Sequence, residues 1–325
     1  MSLCLILSSH LKAEIYELPL NGNNVIGSIS EVMASHEDTL LDIAHRNELG
    51  FEEIKRANPN VDIWLPGEGT KIILPKKFIL PDAPRKGLVL NIAEYRMYYY
   101  PEVEKNQSDI VITYPISIGR IDWETPLGKT KVISKQKNPS WYPPVSIRAE
   151  RAAAGGFLPN IVPPGPDNPL GDFAIRLDIP GYLIHGTNKP NGIGMRVTHG
   201  CVRMLPQNIE TLYSMISVDN DVYIVNQPIK LGWDSGELLI EAHEILKDSL
   251  IDDELIDRNS NQMKAKILSY IFSELTERYI GITKNNKVRL DWDMALQVSL
   301  RAEGLPIAIG STKIDSSELQ GFNGT

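Results

Sequence analysis

Hydrophobic and polar positions follow different rhythms in successive parts of the chain. Between residues 87 and 227, short runs rich in β-branched and aromatic residues succeed one another at 88–92, 97–100, 110–114, 129–134, 173–179 and 222–225. Many short strands with turn punctuation and few helices predict a mainly β unit of sandwich type. One helix interrupts it over 207–217, with Ile209, Leu212 and Ile216 on its inner face.

The flanking regions read differently. In 28–76, Asp38-Thr39 opens a helix that Gly50 can close. Phe51, Ile54 and Ala57 mark a second helix stopped by Asn58-Pro59, and a Pro-Gly turn leads into a strand at 71–75. With a first strand at 30–33, this predicts a small βααβ unit. Pro81 and Pro84 mark 77–86 as a short stiff linker. In 228–310, a strand at 237–242 and two helices predict an α/β extension. The first helix covers 262–279, with Leu268, Phe272 and Leu275 flanked by Ile267 and Ile271; the second runs from Asp291 to Gly304. The tail, 311–325, is expected to be mobile.

Composition narrows the function classes. Of 325 residues, 42% are hydrophobic and 23% charged, ordinary for a soluble globular chain of two or three units. A net charge of -8 opposes nucleic-acid binding, which needs a basic surface, and attachment to anionic lipid. No integral membrane segment is expected. Residues 1–13 are too short to span a bilayer but suit the end of a secretory signal whose basic start is missing. Removal of that segment would take Cys4 with it and leave Cys201 as the sole cysteine, which fits an oxidising compartment.

The candidate chemistry lies in Thr198-His199-Gly200-Cys201-Val202-Arg203, with a second histidine in Ile184-His185-Gly186-Thr187. A thiol with a pKa of about 8.5 is only a few per cent ionised at neutral pH, so a working cysteine needs a neighbouring base or a positive field. An imidazole can take and return its proton. Gly186 and Gly200 allow tight turns and close approach to main-chain N–H groups. Two other readings of these residues stay open: a buried packing cysteine, and a zinc site. Zinc is opposed by the single glycine between His199 and Cys201, since paired zinc ligands usually stand further apart. The proline-rich stretch 138–171, with a short alanine-rich helix at 150–155, predicts a lid or binding loop. Its Trp141 and Tyr142 either line a cleft or anchor the loop.

The His-Gly-Thr run, the sixteen positions from His185 to Cys201 and the Thr-His-Gly-Cys run together resemble the signature of the YkuD-type L,D-transpeptidases. Arg203, where other branches carry asparagine, is similar to the periplasmic branch of Gram-negative bacteria, and Thr198 stands where serine is commoner. Tyr114-Pro115-Ile116-Ser117-Ile118-Gly119, Pro139-Ser140-Trp141-Tyr142-Pro143 and the proline-rich run 163–171 support it, and the likeness runs from about Glu14 to about Pro228. Residues 28–76 resemble a LysM module, which binds N-acetylglucosamine-containing glycans. The resemblance implies a β-sandwich catalytic domain at 87–227, a periplasmic location, and no cofactor or metal. It implies Cys201 as nucleophile, His185 as proton acceptor and donor oriented by a main-chain carbonyl, and His199 with the Gly200 backbone at the substrate and oxyanion. Further substrate contacts are expected at Thr187, Thr198, Arg203, Trp141 and Tyr142, with Arg203 either anchoring a carboxylate or supporting the loop. The implied partners are peptidoglycan stem peptides and glycan strands. The implied reaction cross-links two stems; attachment of an outer-membrane lipoprotein, stem trimming by water, or a non-catalytic wall-binding role are the alternatives.

Overall fold

The computed structural model describes residues 13–104, 107–121, 123–246, 261–284 and 288–312. The expected signal remnant with Cys4, and the tail beyond Thr312, lie outside them.

The chain enters as β1 (Glu14–Glu17) and β2 (Val25–Gly27), then forms a βααβ unit from β3 (Ser30–Met33), α1 (Leu40–Arg46), α2 (Phe51–Ala57) and β4 (Lys71–Leu74). Strands β3 and β4 pair antiparallel. A capping box starts α1: Thr39 Oγ1 accepts from the Asp42 N–H at 3.1 Å, and Asp42 accepts from the Thr39 N–H at 3.0 Å. Gly50 does not close this helix, contrary to the sequence expectation. Asn47 turns back to donate to the Ile43 carbonyl at 2.8 Å, Glu48 takes the left-handed conformation at φ 54°, and Gly50 becomes the N-cap of α2. At the other end of α2, Asn58 donates to the Ile54 carbonyl at 2.8 Å while accepting from the Ile73 N–H at 2.8 Å, which clamps helix to strand. Leu40, Ile43, Leu49, Ile54, Ile72 and Leu74 form the small core between them.

The expected linker is packed structure. Its first residues form β5 (Lys77–Ile79) against β2, and Phe78, Ile79 and Leu80 are buried. Hydrophobic side chains at these positions outweigh the stiffening prolines that follow, because their burial against Tyr98, Tyr100 and Val111 removes apolar area from water.

The central unit comprises β6 (Gly87–Asn91), β7 (Arg96–Tyr100), β8 (Ile110–Gly119), β9 (Gly128–Lys137), α3 (Val145–Ala153), β10 (Phe173–Leu177), β11 (Leu183–His185), a 3-10 turn (Pro190–Gly192), β12 (Arg196–Thr198), β13 (Val202–Met204), α4 (Pro206–Met215) and β14 (Asp221–Val225). The order is β8-β13-β11-β10-β9-β14-β6-β7, and β7 pairs with β8 again, so the sheet closes on itself. Two ten-residue strands make the corners. Strand β8 pairs with β7 along its first part and with β13 at Ile116 and Ser117, while β9 passes from β14 to β10. The expected sandwich is therefore two sheets continuous through shared strands. Ile112, Tyr114, Ile175, Ile184, Val202 and Met204 point into the core, where Ile209 and Leu212 of α4 join them.

The C-terminal part is a three-stranded sheet, β15 (Ile229–Asp234), β16 (Glu237–Ala242) and β17 (Ile307–Ser311), covered by α5 (Asn261–Thr283) and α6 (Trp292–Arg301). Helix α5 packs through Ile271 and Leu275, with Ile267 and Tyr279 in the same four-residue row; of the apolar positions read from the sequence, Leu268 and Phe272 are exposed at 39% and 52%. Among the described residues no helix is long and apolar enough to cross a membrane.

Buried charges join the parts. The α2 N–H groups of Phe51 and Glu52, which lack partners within the helix, donate to the Ile193 and Gly194 carbonyls at 3.0 and 3.3 Å. That approach requires glycine twice: a Cβ on Gly50 would stand 2.8 Å from Gly194 Cα, and Gly194 adopts φ +82° with Gly50 Cα 2.4 Å from its own missing Cβ. Beside this seam Arg96, fully buried, donates from Nε to Glu53 at 2.6 Å, from Nη1 to Thr113 Oγ1 at 2.9 Å and from Nη2 to the Glu48 carbonyl at 3.1 Å. Nearby, Lys230 donates to Glu94 at 2.6 Å, Glu241 at 2.9 Å and the Ile79 carbonyl at 2.6 Å, and His243 Nε2 lies 2.7 Å from Glu241. Among the described residues, Glu94, Glu241 and His243 are the group whose potential metal-ligand atoms converge within 4.8 Å, and the Lys230 ammonium already supplies the cation there.

Replacing Arg96 with Leu is expected to lower the unfolding free energy by about 3–5 kcal/mol, because Glu53 would remain buried without its cation. Urea denaturation of the full chain measures it; an unchanged midpoint would remove Arg96 from this role.

Candidate active site

The site is built by strand register. Across four strands, Gln136 of β9 stands opposite Ala174 of β10, Ala174 opposite His185 of β11, and His185 opposite Arg203 of β13. One step along, Ser134, Arg176 and Leu183 form a parallel row, and Cys201 lies two residues before Arg203. Side chains two apart on a strand share a face. All eight residues accordingly line one cleft of about 780 Å³ on the outer face of the sheet, while the intervening Ile175, Ile184 and Val202 point into the core.

Two turns set the reacting groups at the ends of short strands. His185 ends β11, is 5% exposed, and has Nδ1 2.6 Å from the Gly186 carbonyl. A carbonyl only accepts, so Nδ1 carries the proton and Nε2 has the free lone pair. Gly186 has no left-handed φ; it is needed for space, since a Cβ there would stand 3.2 Å from both Ile209 Cγ2 and the Leu170 carbonyl. Gly200 does need its left-handed φ of +95°, and a Cβ would meet the Tyr182 ring at 2.7 Å. Thr198 Oγ1 donates to the Cys201 carbonyl at 2.6 Å, and Thr125 Oγ1 donates to the Gly200 carbonyl at 2.9 Å, fastening the turn on both sides.

Burial governs the electrostatics. It pushes the His185 imidazole down to about 4, and the Arg203 guanidinium adds to that, against the opposing Gly186 carbonyl. It pushes the Cys201 thiol up, against the Leu183 N–H and Arg203. At neutral pH burial therefore keeps the imidazole neutral and favours the protonated thiol. Arg203 lines the cleft with its Nε buried and without a hydrogen-bond partner.

The remaining expected residues divide. Trp141 and Tyr142 line the cleft, and Trp141 also anchors the loop through paired backbone hydrogen bonds with Val162 at 2.8 and 2.9 Å. Thr198 and His199 line it; His199 Nε2 contacts Glu150 of α3 at 3.0 Å and its ring stands edge-on to Trp123. Thr187 is buried outside the cleft lining, where its Oγ1 accepts from the Lys189 N–H at 2.9 Å, because that bond holds the side chain within its own loop. Gly200 is also absent from the lining, behind Tyr182. Among the described residues, His185, His199 and Cys201 are not a group whose potential ligand atoms converge within 4.8 Å. Arg176, Tyr182, Trp123 and Glu150 were not singled out from sequence. For Arg176 the signal was present, in the alternation of Phe173-Ala174-Ile175-Arg176-Leu177.

A part-exposed cysteine beside a buried histidine oriented by a main-chain carbonyl, in a roofed cleft, defines a cysteine acyl-transfer type of site. The YkuD L,D-transpeptidase catalytic domain matches residues 85–224. The chain is 42% identical over 248 residues to "Probable L,D-transpeptidase YcfS" of Escherichia coli K12, covering 74% of this chain and 76% of the relative. It is 39% identical over 250 residues to "Probable L,D-transpeptidase ErfK/SrfK" of the same strain, covering 75% and 79%, and 28% identical over 187 residues to "Putative L,D-transpeptidase YkuD" of Bacillus subtilis, covering 55% and 88%. This chain belongs to the YkuD-type L,D-transpeptidase family.

The His185 environment sets a pH dependence. Its folded value of about 4 lies below the unfolded 6.5, so between these values the unfolded chain holds a proton that the folded chain does not. The contribution is complete above pH 6.5 and lost as pH falls towards 4, and is worth about 3 kcal/mol. The urea midpoint of the wild type should fall further between pH 7.5 and 4.5 than that of His185→Gln; parallel decreases would contradict the burial argument.

Proposed function

We propose that this chain is a peptidoglycan L,D-transpeptidase whose nucleophile is Cys201. The observation that carries the assignment is the placement of Cys201 and His185 on one face of the sheet, with Nδ1 committed to Gly186. His185 Nε2 takes the thiol proton as Cys201 Sγ bonds to the carbonyl carbon of the third stem residue. The C–N bond to the terminal D-alanine breaks, and protonated His185 returns the proton to the leaving amine. The amine of a second stem then attacks the thioester, His185 accepts its proton, and the thiol is regenerated as the 3-3 cross-link forms.

The peptide between Gly200 and Cys201 is our choice for the oxyanion donor. Thr125 holds the Gly200 carbonyl, and in a planar trans peptide the Cys201 N–H points the opposite way. His199 borders the same turn. The buried, unpartnered Nε of Arg203 supports a carboxylate contact from the stem. The βααβ unit at 28–76 would hold glycan as a LysM module does, and the reaction would take place in the periplasm, where the wall lies.

Incubation of the purified protein with a disaccharide-tetrapeptide should release D-alanine and yield cross-linked dimers by mass spectrometry. Cys201→Ala should reduce the rate by at least about 10³-fold. Unaltered muropeptide with wild-type protein would sink the assignment, and shortened stems without dimers would make water the acceptor. Arg203→Met should raise KM about tenfold or more for the carboxylate-bearing donor, the scale of one charge-assisted pair; an unchanged KM would leave Arg203 as loop support only.

A further inference from the structure

The excursion between β9 and β10 roofs the cleft, yet no residue of its helix α3 is buried. At its base it is firmly held: Trp141 and Val162 exchange backbone hydrogen bonds, and the buried Asn168 side chain donates to the Pro139 carbonyl at 2.8 Å. Further out, Arg148 of α3 pairs with Asn160, which lies in the same excursion. Glu150 is different. One of its carboxylate oxygens accepts from Arg120 at 2.7 Å and the other lies 3.0 Å from His199 Nε2. Arg120 follows β8 directly, with its N–H bonded to the Thr198 carbonyl at 3.0 Å and its carbonyl accepting from Trp123 at 2.9 Å. Trp123 in turn stands edge-on to the His199 ring, with centroids 5.1 Å apart. A single carboxylate on the roof thus binds His199 in the nucleophile turn and Arg120, which is hydrogen-bonded to Thr198 beside it.

We propose that Glu150 is a latch and a positioning residue: it holds α3 over the cleft and His199 in place, and its release opens the way to Cys201. The lid needs such a device because α3 has no buried apolar face to hold it down. An exposed carboxylate tie is weak enough to break when a peptidoglycan strand enters, and strong enough to re-form afterwards. Arg120 and His199 also present the charge and donors that a stem carboxylate seeks, so an entering anionic peptide can take over the contacts that Glu150 gives up.

The proposal adds to the transpeptidase assignment, but its test is independent of turnover. The full-length protein is treated with neutral iodoacetamide, and modification of the Cys201 peptide is followed by mass spectrometry, which separates it from Cys4. Glu150→Gln and Glu150→Ala should speed alkylation of Cys201 about three- to fivefold with an unchanged melting temperature, the scale of a surface ion pair. In wild type the rate should rise between 50 and 500 mM NaCl as the pair is screened, while both variants should show no such rise. With the tetrapeptide substrate, loss of His199 positioning should lower kcat in the Gln variant without raising KM. Equal alkylation rates in wild type and variants, or a wild-type rate indifferent to salt, would overturn the latch. If muropeptides are not turned over while the alkylation pattern holds, the functional assignment fails and the latch stands.

Discussion

A guanidinium with no exposed surface has to be met by acceptors on every side, and in this protein that requirement falls on Arg96. Its partners come from three places: Glu53 from α2, the Glu48 carbonyl from the turn before α2, and Thr113 from β8. The βααβ unit is therefore held against the β-domain and cannot swing free on a tether. The same turn sends Glu48 to Asn208 of α4 at 2.7 Å, so the helix under the active-site strands shares the anchor. From there the path to the chemistry is short. The N-terminus of α2 is capped by carbonyls of Ile193 and Gly194, and Ser117, opposite Arg203 in the sheet, donates to the Gly192 carbonyl at 2.7 Å. The loop between the two motif halves is thus supported by the N-terminal unit on one side and by the sheet on the other.

That support explains how a neutral thiol and imidazole can be kept ready. A preformed ion pair would lower the energetic demand on geometry, because opposite charges attract over a distance. A neutral pair has no such guidance and relies on fixed strands. Here His185 ends β11 and Cys201 immediately precedes β13, the parallel neighbour of β11, with the Gly186 carbonyl fixing the tautomer.

Local chemistry of the site was legible in the sequence, and its enclosure was not. The motif residues Thr198 to Arg203, the helix through Ile209 and Leu212, and the strand runs follow from short-range patterns that the structure keeps. Long-range events leave no such trace. Gly50 looked like a helix terminator because glycine after a helical run usually is one; its role was decided by Gly194, far along the chain. The stretch after Lys76 looked like a linker because of its prolines, although Phe78 and Ile79 were about to find β2 and the Tyr98 face. Leu268 and Phe272 matched a helical period as well as Ile271 and Leu275 did, and only the position of β15 chose between the two faces. Glu150, in an alanine-rich helix, carried no periodic signal at all.

Charge shows the same separation between global and local properties. The net charge of -8 argues against polyanionic partners when taken over the whole surface. The cleft reverses the sign: Arg151, Arg176, Lys189 and Arg203 line it against Asp167 alone. An acidic shell opposes anions at long range, while the basic lining favours them once they are inside the cleft. The exclusion drawn from net charge and the attraction drawn from the cleft are compatible because they act at different distances. Screening over about 8 Å at physiological salt weakens the first, while Arg203, half-buried beside His185 in the cleft, is shielded less.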